Sequence, residues 1–484
     1  MSNTRNIRFS LLFSTLCILL CTACVDEKFS TDPSLRLSFS TDSLKFDTIF
    51  SSIGSVTSKV LIYNRNNSAL KISEIALAGA KASSFHINVD GDKNGDNLFK
   101  DVEIGANDSL YIFVSVTVDL NTPLLVEDSL VFKTNGIQQS VHLQAYGQNV
   151  VVLKNKRCTK DTTLTADKPF LVFGNLQIDS YKTLTINPGC KFYFYNNANI
   201  IVKGNLNAQG TLQQPILMRG QRLDLVKFTI PFPYNTVAGQ WGGIYLQGNK
   251  GNHVLNYVNM NSGRVGVYLQ NEDRTSLPEL KISNSRIHNN LINGLFIQNG
   301  NAVVVNSEIS NSGSNTIYLN GGKHSFIHCT IANYFNAGEF ATNAKSREFK
   351  PAVMIMELNK VAPMETSFTN CVIAGSYETE FSLASDYPEL YKGTFSHSYL
   401  KCPKIETSQF TNIRWSLKKD TVFKHPSYDV RKNIYFNFAL DSVSPARGLA
   451  DKSISGGYPL DINGNNRLAD GVPDAGAYEW KPKN

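Results

Sequence analysis

Two things are scarce in this chain of 484 residues: cysteine, of which there are eight, and uninterrupted apolar sequence. Three cysteines, Cys17, Cys21 and Cys24, lie near the N-terminus. The other five, Cys158, Cys190, Cys329, Cys371 and Cys402, are an odd set spread over a long chain, which excludes a disulfide framework. No two of these five form a Cys-x-x-Cys pair, which argues against a structural zinc site. The one extended apolar run, 9–20, is shorter than the roughly 20 residues a membrane-spanning helix needs. The formal charge of +7 is mild and contains no Lys/Arg block, so no nucleic-acid partner is expected. What remains is a 42% hydrophobic chain long enough for two packed domains.

The N-terminus carries Arg5 and Arg8, then the apolar run, then Cys21-Thr22-Ala23-Cys24. That is the three-part layout of a secretion signal, here 1–23, followed by a linker over 24–34. The Ala23-Cys24 junction resembles a bacterial lipobox, although Cys21 stands where that pattern usually has Leu. The resemblance implies cleavage before Cys24, a lipid on its thiol, and attachment to a membrane.

Over 35–150 the chain reads as short alternating strands, at 35–39, 60–63, 70–77, 85–89, 110–118, 130–133 and 140–145. Turn residues such as Thr134-Asn135-Gly136 separate them, and no helical period is present. This pattern predicts an immunoglobulin-like β-sandwich with one wet face per sheet. Within it Asp90, Asp92, Asn94 and Asp96, with Asp101 at the twelfth place, satisfy the spacing of a calcium loop. An EF-hand needs flanking helices, whereas the flanks here read as strands, so a polar hairpin turn is favoured. No cofactor is expected, with calcium at these residues as the weaker alternative.

Over 151–440 the grammar changes to repetition. Gly243-Ile244-Tyr245-Leu246-Gln247 recurs as Gly266-Val267-Tyr268-Leu269-Gln270, Gly294-Leu295-Phe296-Ile297-Gln298 and Thr316-Ile317-Tyr318-Leu319-Asn320. A second motif keeps step: Asn284-Ser285-Arg286-Ile287 returns at Asn306, His328, Asn370 and His397, the first three spaced 22 residues apart (284 to 306 to 328). A period that short leaves no room for a helix and predicts a right-handed parallel β-helix, with coils stacked about 4.8 Å apart. The recurring Asn fits a corner in left-handed backbone. The stretch 441–484 differs in composition and is read as a cap over the last coil's exposed edge.

Together these features resemble the β-helix surface lipoproteins of Bacteroidetes, which join a lipobox, an immunoglobulin-like domain and a pectin-lyase-like β-helix. The residues carrying the resemblance are 108–114, 165–169, 184–189, Gly239-Gln240-Trp241-Gly242-Gly243-Ile244 and Pro473-Asp474-Ala475-Gly476-Ala477-Tyr478-Glu479. Asp26 and Glu27 resemble that group's acidic export tag, and read equally well as the acidic start of a linker. The resemblance implies an outer-membrane, surface-exposed location. It implies no particular activity, because the fold hosts lyases, hydrolases, adhesins and passive structural proteins.

A hydrolase needs paired carboxylates, yet between 181 and 340 the acids are only Asp224, Glu272, Asp273, Glu279, Glu308 and Glu339, with no two on neighbouring strands. A polysaccharide lyase needs a base; Arg264, Lys281, Arg286, His288, Lys323, His324 and His328 are present without forming a ladder. In the repeated pentapeptide the aliphatic residues share one face, so Tyr245, Tyr268, Phe296 and Tyr318 share the other. That predicts an outer aromatic strip beside an amide column of Gln247, Gln270, Gln298 and Asn320. Such a strip suits sugar rings or a contact surface; the plainer alternative is a small second core beneath the inserted loop 336–350 or the sandwich domain. The expected function is therefore a non-catalytic module binding a polysaccharide or cell-surface component, with a lyase as alternative and a spacer or adhesin as a third reading. Cys329 and Cys371 share a ladder position and are expected to be small buried neighbours. Asp461, Asn463 and Asn465 evoke a calcium loop without its twelfth carboxylate.

Overall fold

The computed structural model describes residues 28–482 apart from 52, 120–123, 227–230, 249, 273–276, 336–346, 359–363, 419–420, 428 and 430–434. The signal segment, Cys24, Asp26 and Glu27 lie outside the described residues. The chain divides into two compact units, 1–149 and 150–484. Both are built of strands, and the only α-helix among the described residues is Lys452–Gly457. No described helix is long and apolar enough to cross a membrane.

In the first unit, alternation of apolar and polar residues produces two sheets. Ser38–Phe39, Ser58–Tyr63, Ser109–Val116, Phe85–Val89 and Asp92–Lys93 form one; Ser43–Lys45, Ile137–Gln148, Leu125–Thr134, Leu70–Leu77 and Leu98–Ile104 form the main path of the other. Val60, Ile62, Ile112 and Val114 from the first meet Ile72, Leu130, Phe132 and Leu143 from the second in a single core. Each fully buried side chain of this kind contributes about 1.5–3 kcal/mol.

The calcium-like spacing resolves into local turns. Asp90 and Gly91 both have positive φ and reverse the chain between Phe85–Val89 and Asp92–Lys93, so that Val89 faces Asp92. The Asn94 side chain accepts from the Asp96 amide at 2.9 Å and donates to the Leu98 carbonyl at 2.9 Å, and Asp96 faces the Lys81 ammonium at 2.7 Å. Asp92 and Asp96 thus belong to a hairpin and a following turn, and no cluster of three metal-ligating side chains occurs among the described residues.

In the second unit three parallel sheets grow together. Val151–Lys154, Arg157–Cys158 and Thr162–Leu164 begin the first, second and third sheets, and Phe170–Phe173, Asn175–Ile178 and Thr183–Ile186 extend them in the same order. The rotation continues until the sheets hold 11, 9 and 10 strands. One strand per sheet per turn of chain, all parallel, is the arrangement of a parallel β-helix. Inside, equivalent residues stack in register: Leu176, Ile200, Ile244, Val267, Leu295, Ile317 and Val353 form one such ladder. Aromatic rings do the same, with Phe326 on Phe368 at 4.4 Å and Phe395 on Phe410 at 4.4 Å.

The corner between the third and first sheets explains the recurring Asn. Asn284, Asn306, His328, Asn370 and His397 all have φ between 48° and 56°, a left-handed conformation that short polar side chains tolerate best. Their side chains then bridge coils: Asn306 Nδ2 donates to Asn284 Oδ1 at 2.7 Å, and Asn284 Nδ2 to Asn256 Oδ1 at 2.9 Å. Cys329 and Cys371, one place further on, are buried free thiols.

At the end of the coils Ile405, Phe410, Ile413 and Trp415 are partly buried against the main core, Phe410 and Trp415 from the last strands of the third and first sheets. The segment read as a cap packs on the outer face of the first sheet, where Ile462, Ala475, Ala477 and Tyr478 share a core with Ala332, Val372, Ala374 and Tyr399. Gly476 (φ 98°) makes this close approach feasible, since a Cβ there would sit 2.8 Å from Thr330 Oγ1 and 3.1 Å from Val372. Its amide donates to the Asn370 carbonyl at 2.8 Å. Polar anchors complete the seat: Tyr478 Oη donates to the Glu308 carboxylate, and fully buried Arg467 donates to Asn306 Oδ1 at 2.7 Å. Asp461 accepts from the amides of Asn463, Asn465 and Glu479 within 2.9 Å, which accounts for its Asn-rich surroundings without a metal.

Candidate binding surface

Strands Gly243–Leu246, Val267–Gln270, Leu295–Gln298 and Ile317–Asn320 are consecutive members of the second sheet. Their aliphatic residues are buried in the coil interior, and alternation turns the intervening ring outward. Tyr245 faces Tyr268, Tyr268 faces Phe296 and Phe296 faces Tyr318, in parallel register. All four rings are half-buried. The expected strip is thus brought together. Burial raises the phenol pKa values of Tyr245, Tyr268 and Tyr318, so these hydroxyls stay neutral donors at ordinary pH.

The ring geometry adds what periodicity could not supply. Tyr268, Phe296 and Tyr318 are stacked face to face, with centroids 4.5 and 4.8 Å apart and planes within 5° of parallel. Tyr245 is tilted by 43° at 5.6 Å from Tyr268. The inner ring faces therefore contact one another, and the strip offers ring edges outward. Each stacked pair is worth about 0.5–1.5 kcal/mol beyond its area.

Beside the rings runs the amide column. Gln270 faces Gln298 and Gln298 faces Asn320; Gln247 and Gln270 are exposed, Gln298 is half-exposed, and Asn320 is buried. Tyr268 Oη donates to Gln270 Oε1 at 2.7 Å. Lys203, exposed, precedes Gln247 in this column, because Val202 pairs with Leu246, and Asp179, held by Arg157 at 2.8 Å, precedes Lys203. Met354 continues the ring column past Tyr318.

Two further cations border the rings. Arg264 and Lys350, both exposed, each stand three residues before their strands in the second sheet, and they act electrostatically on the Tyr245 and Tyr318 phenols respectively. The backbone of Lys350 is fixed by a buried ion pair. Arg347 donates to both oxygens of Glu380, to the Lys350 carbonyl at 2.8 Å and to the Asn333 carbonyl at 2.6 Å, and its guanidinium lies 4.3 Å from the Tyr377 ring centre. Sequence reasoning missed Arg347 and Glu380, which are 33 residues apart and share no repeat. The loop 336–350, the proposed cover, lies outside the described residues over 336–346.

The candidate lyase groups are dispersed. Lys281 and Lys323 are exposed on the third sheet, His324 is buried with its pKa pushed down to about 4, and His328 is a buried corner residue bonded to Ser455 Oγ at 3.0 Å. Arg286, His288 and Glu308 do come together on the first sheet, beneath Tyr478 and Asn463 of the C-terminal segment.

No protein-family model matches the chain, and no curated protein does. Among solved structures, a family 123 glycoside hydrolase from Clostridium perfringens aligns at 8% identity over 25% of this chain and 30% of that one, with a TM-score of 0.17. The ASH/PapD-like domain 7 of human CEP192 aligns at 11% identity over 26% of this chain and 94% of that domain, also at 0.17. Likeness this slight carries no inference about fold or activity.

Proposed function

We propose that the protein is a lipid-anchored envelope protein, with an immunoglobulin-like first unit and a right-handed β-helix, that binds a polysaccharide or another surface component without catalysis. The observation carrying this reading is the in-register aromatic strip with its parallel amide column on the second sheet. It is supported by the treatment of the other two outer faces. The C-terminal segment covers the later coils of the first sheet, and the third presents mixed charges such as Glu279, Lys281 and the Lys323–Glu365 pair. An apolar strip flanked by amides in water marks a contact surface. Export and anchoring rest on the 1–24 sequence, and the immunoglobulin-like description of the first unit rests on its strand pattern.

The test is affinity electrophoresis of the mature chain lacking Cys24 through gels containing a polysaccharide panel, beside a Tyr245→Ala/Tyr268→Ala/Phe296→Ala variant. Retardation of the parent that the variant loses places binding on the strip. Absence of retardation in every gel removes the polysaccharide reading and leaves a protein-binding or spacer role.

A further inference from the structure

The binding reading leaves the chemistry of the ligand open, and the geometry of the strip narrows it. Aromatic rings usually hold sugars by offering their negative faces to C–H groups. Here the inner faces are used up in the Tyr268, Phe296 and Tyr318 stack. What reaches the solvent is ring edge, which carries the positive end of the quadrupole and prefers oxygen-rich or anionic groups. The neighbouring donors point the same way. Gln247 and Gln270 are exposed, and because Gln270 Oε1 accepts from Tyr268 Oη its amide NH2 is not the group engaged in that bond.

The charges around the strip are unequal. Lys203 precedes Gln247 in the amide column, Arg264 stands beside Tyr245 and Lys350 beside Tyr318, all exposed, while Asp179 next to Lys203 is matched by Arg157 at 2.8 Å. Against them stand Glu272, two residues beyond Gln270, and Glu348, whose carboxylate is held by Lys350 at 2.6 Å and by Ser314 Oγ at 3.1 Å. Lys350 is moreover set in place by the buried Arg347–Glu380 pair rather than left on a free loop. From ring edges, exposed amides and this surplus of positive charge, we infer that the strip takes a linear polysaccharide bearing carboxylate or sulfate groups, laid along the stack of coils. The repeat of one ring and one amide per coil matches a ligand that itself repeats. This rests on the binding reading above.

The experiment uses matched polymers that differ in charge on one backbone: carboxymethyl cellulose against hydroxyethyl cellulose, and dextran sulfate against dextran. Gel retardation is measured for the mature chain and for an Arg264→Gln/Lys350→Gln variant whose thermal melt confirms folding. Retention by the charged member of a pair, falling roughly two- to fivefold for each cation removed, is the expected result. Equal retention by neutral and charged members overturns the charge inference while leaving the strip as a binding face. Charged retention that survives both the double variant and the triple aromatic variant is bulk electrostatics, and overturns the assignment to the strip. No retention by any member of these or the wider panel overturns the binding reading itself.

Discussion

Protonation should set a stability maximum near pH 6.5, with different residues responsible for each flank. On the alkaline side the group is Glu479. Its carboxylate is nearly inaccessible, and burial first, then the neighbouring Asp474 carboxylate, pushes its pKa up to about 8 from an ordinary 4.5, against the opposing pull of Arg467 at 3.7 Å. Because the folded value lies above the unfolded one, its contribution is fully present below about pH 4.5 and is lost as pH rises through 8. Each pH unit in that window removes about 1.4 kcal/mol. Asp474 is raised too, so the proton belongs to the pair. On the acid side stand His253 and His324, buried in the coil interior with pKa values pushed down to about 4 by desolvation. Their folded values lie below the unfolded 6.5, so their contribution is present above 6.5 and lost as pH falls through 4. Two such groups outweigh Glu479 below pH 6.5, and burial displaces His288 and His328 in the same direction; above it the Glu479–Asp474 pair remains. Urea unfolding at half-unit pH steps should therefore show a peak near 6.5 and a loss on the order of 2 kcal/mol by pH 8. Glu479→Gln should flatten the alkaline limb and leave the acid limb intact. An unchanged alkaline limb in that variant would refute the assignment.

Arg347→Met should leave Glu380 as an unpaired buried charge and lower stability by about 3–5 kcal/mol in denaturant melts, whereas the paired change Arg347→Met/Glu380→Met should recover most of that. At the corner, Asn284→Ala should cost about 2 kcal/mol, combining left-handed strain with the lost inter-coil hydrogen bonds, while Asn284→Gly should cost about half as much because glycine accepts the φ of 49°.

The parts of this molecule that repeat were the parts that could be read beforehand. Tyr245, Tyr268, Phe296 and Tyr318 announce one another because every coil poses the same packing problem, and parallel register brings equivalent positions together. The Asn corner was legible for the same reason, down to His328 replacing Asn in one coil. Features made once were not legible. Tyr478 against Glu308 and Arg467 against Asn306 join residues 170 and 161 positions apart, and nothing in the local pattern of 441–484 distinguishes an end plug from a lateral cover. Ring orientation escaped too, since alternation fixes which way a side chain leaves the sheet and not which surface of its ring meets water. The spacing at 90–101 admits both a turn and a calcium loop because tight turns and oxygen-rich metal loops draw on the same Asp, Asn and Gly.

The in-register stack also makes the coil a unit of length. Inserting a copy of 284–305 would add one ring, one amide, one corner Asn and one interior rung at once, with every neighbour meeting the partner type it already has. Such a protein can acquire a longer aromatic strip through a single duplication, without redesigning any junction, so the extent of that strip is a countable property of the gene.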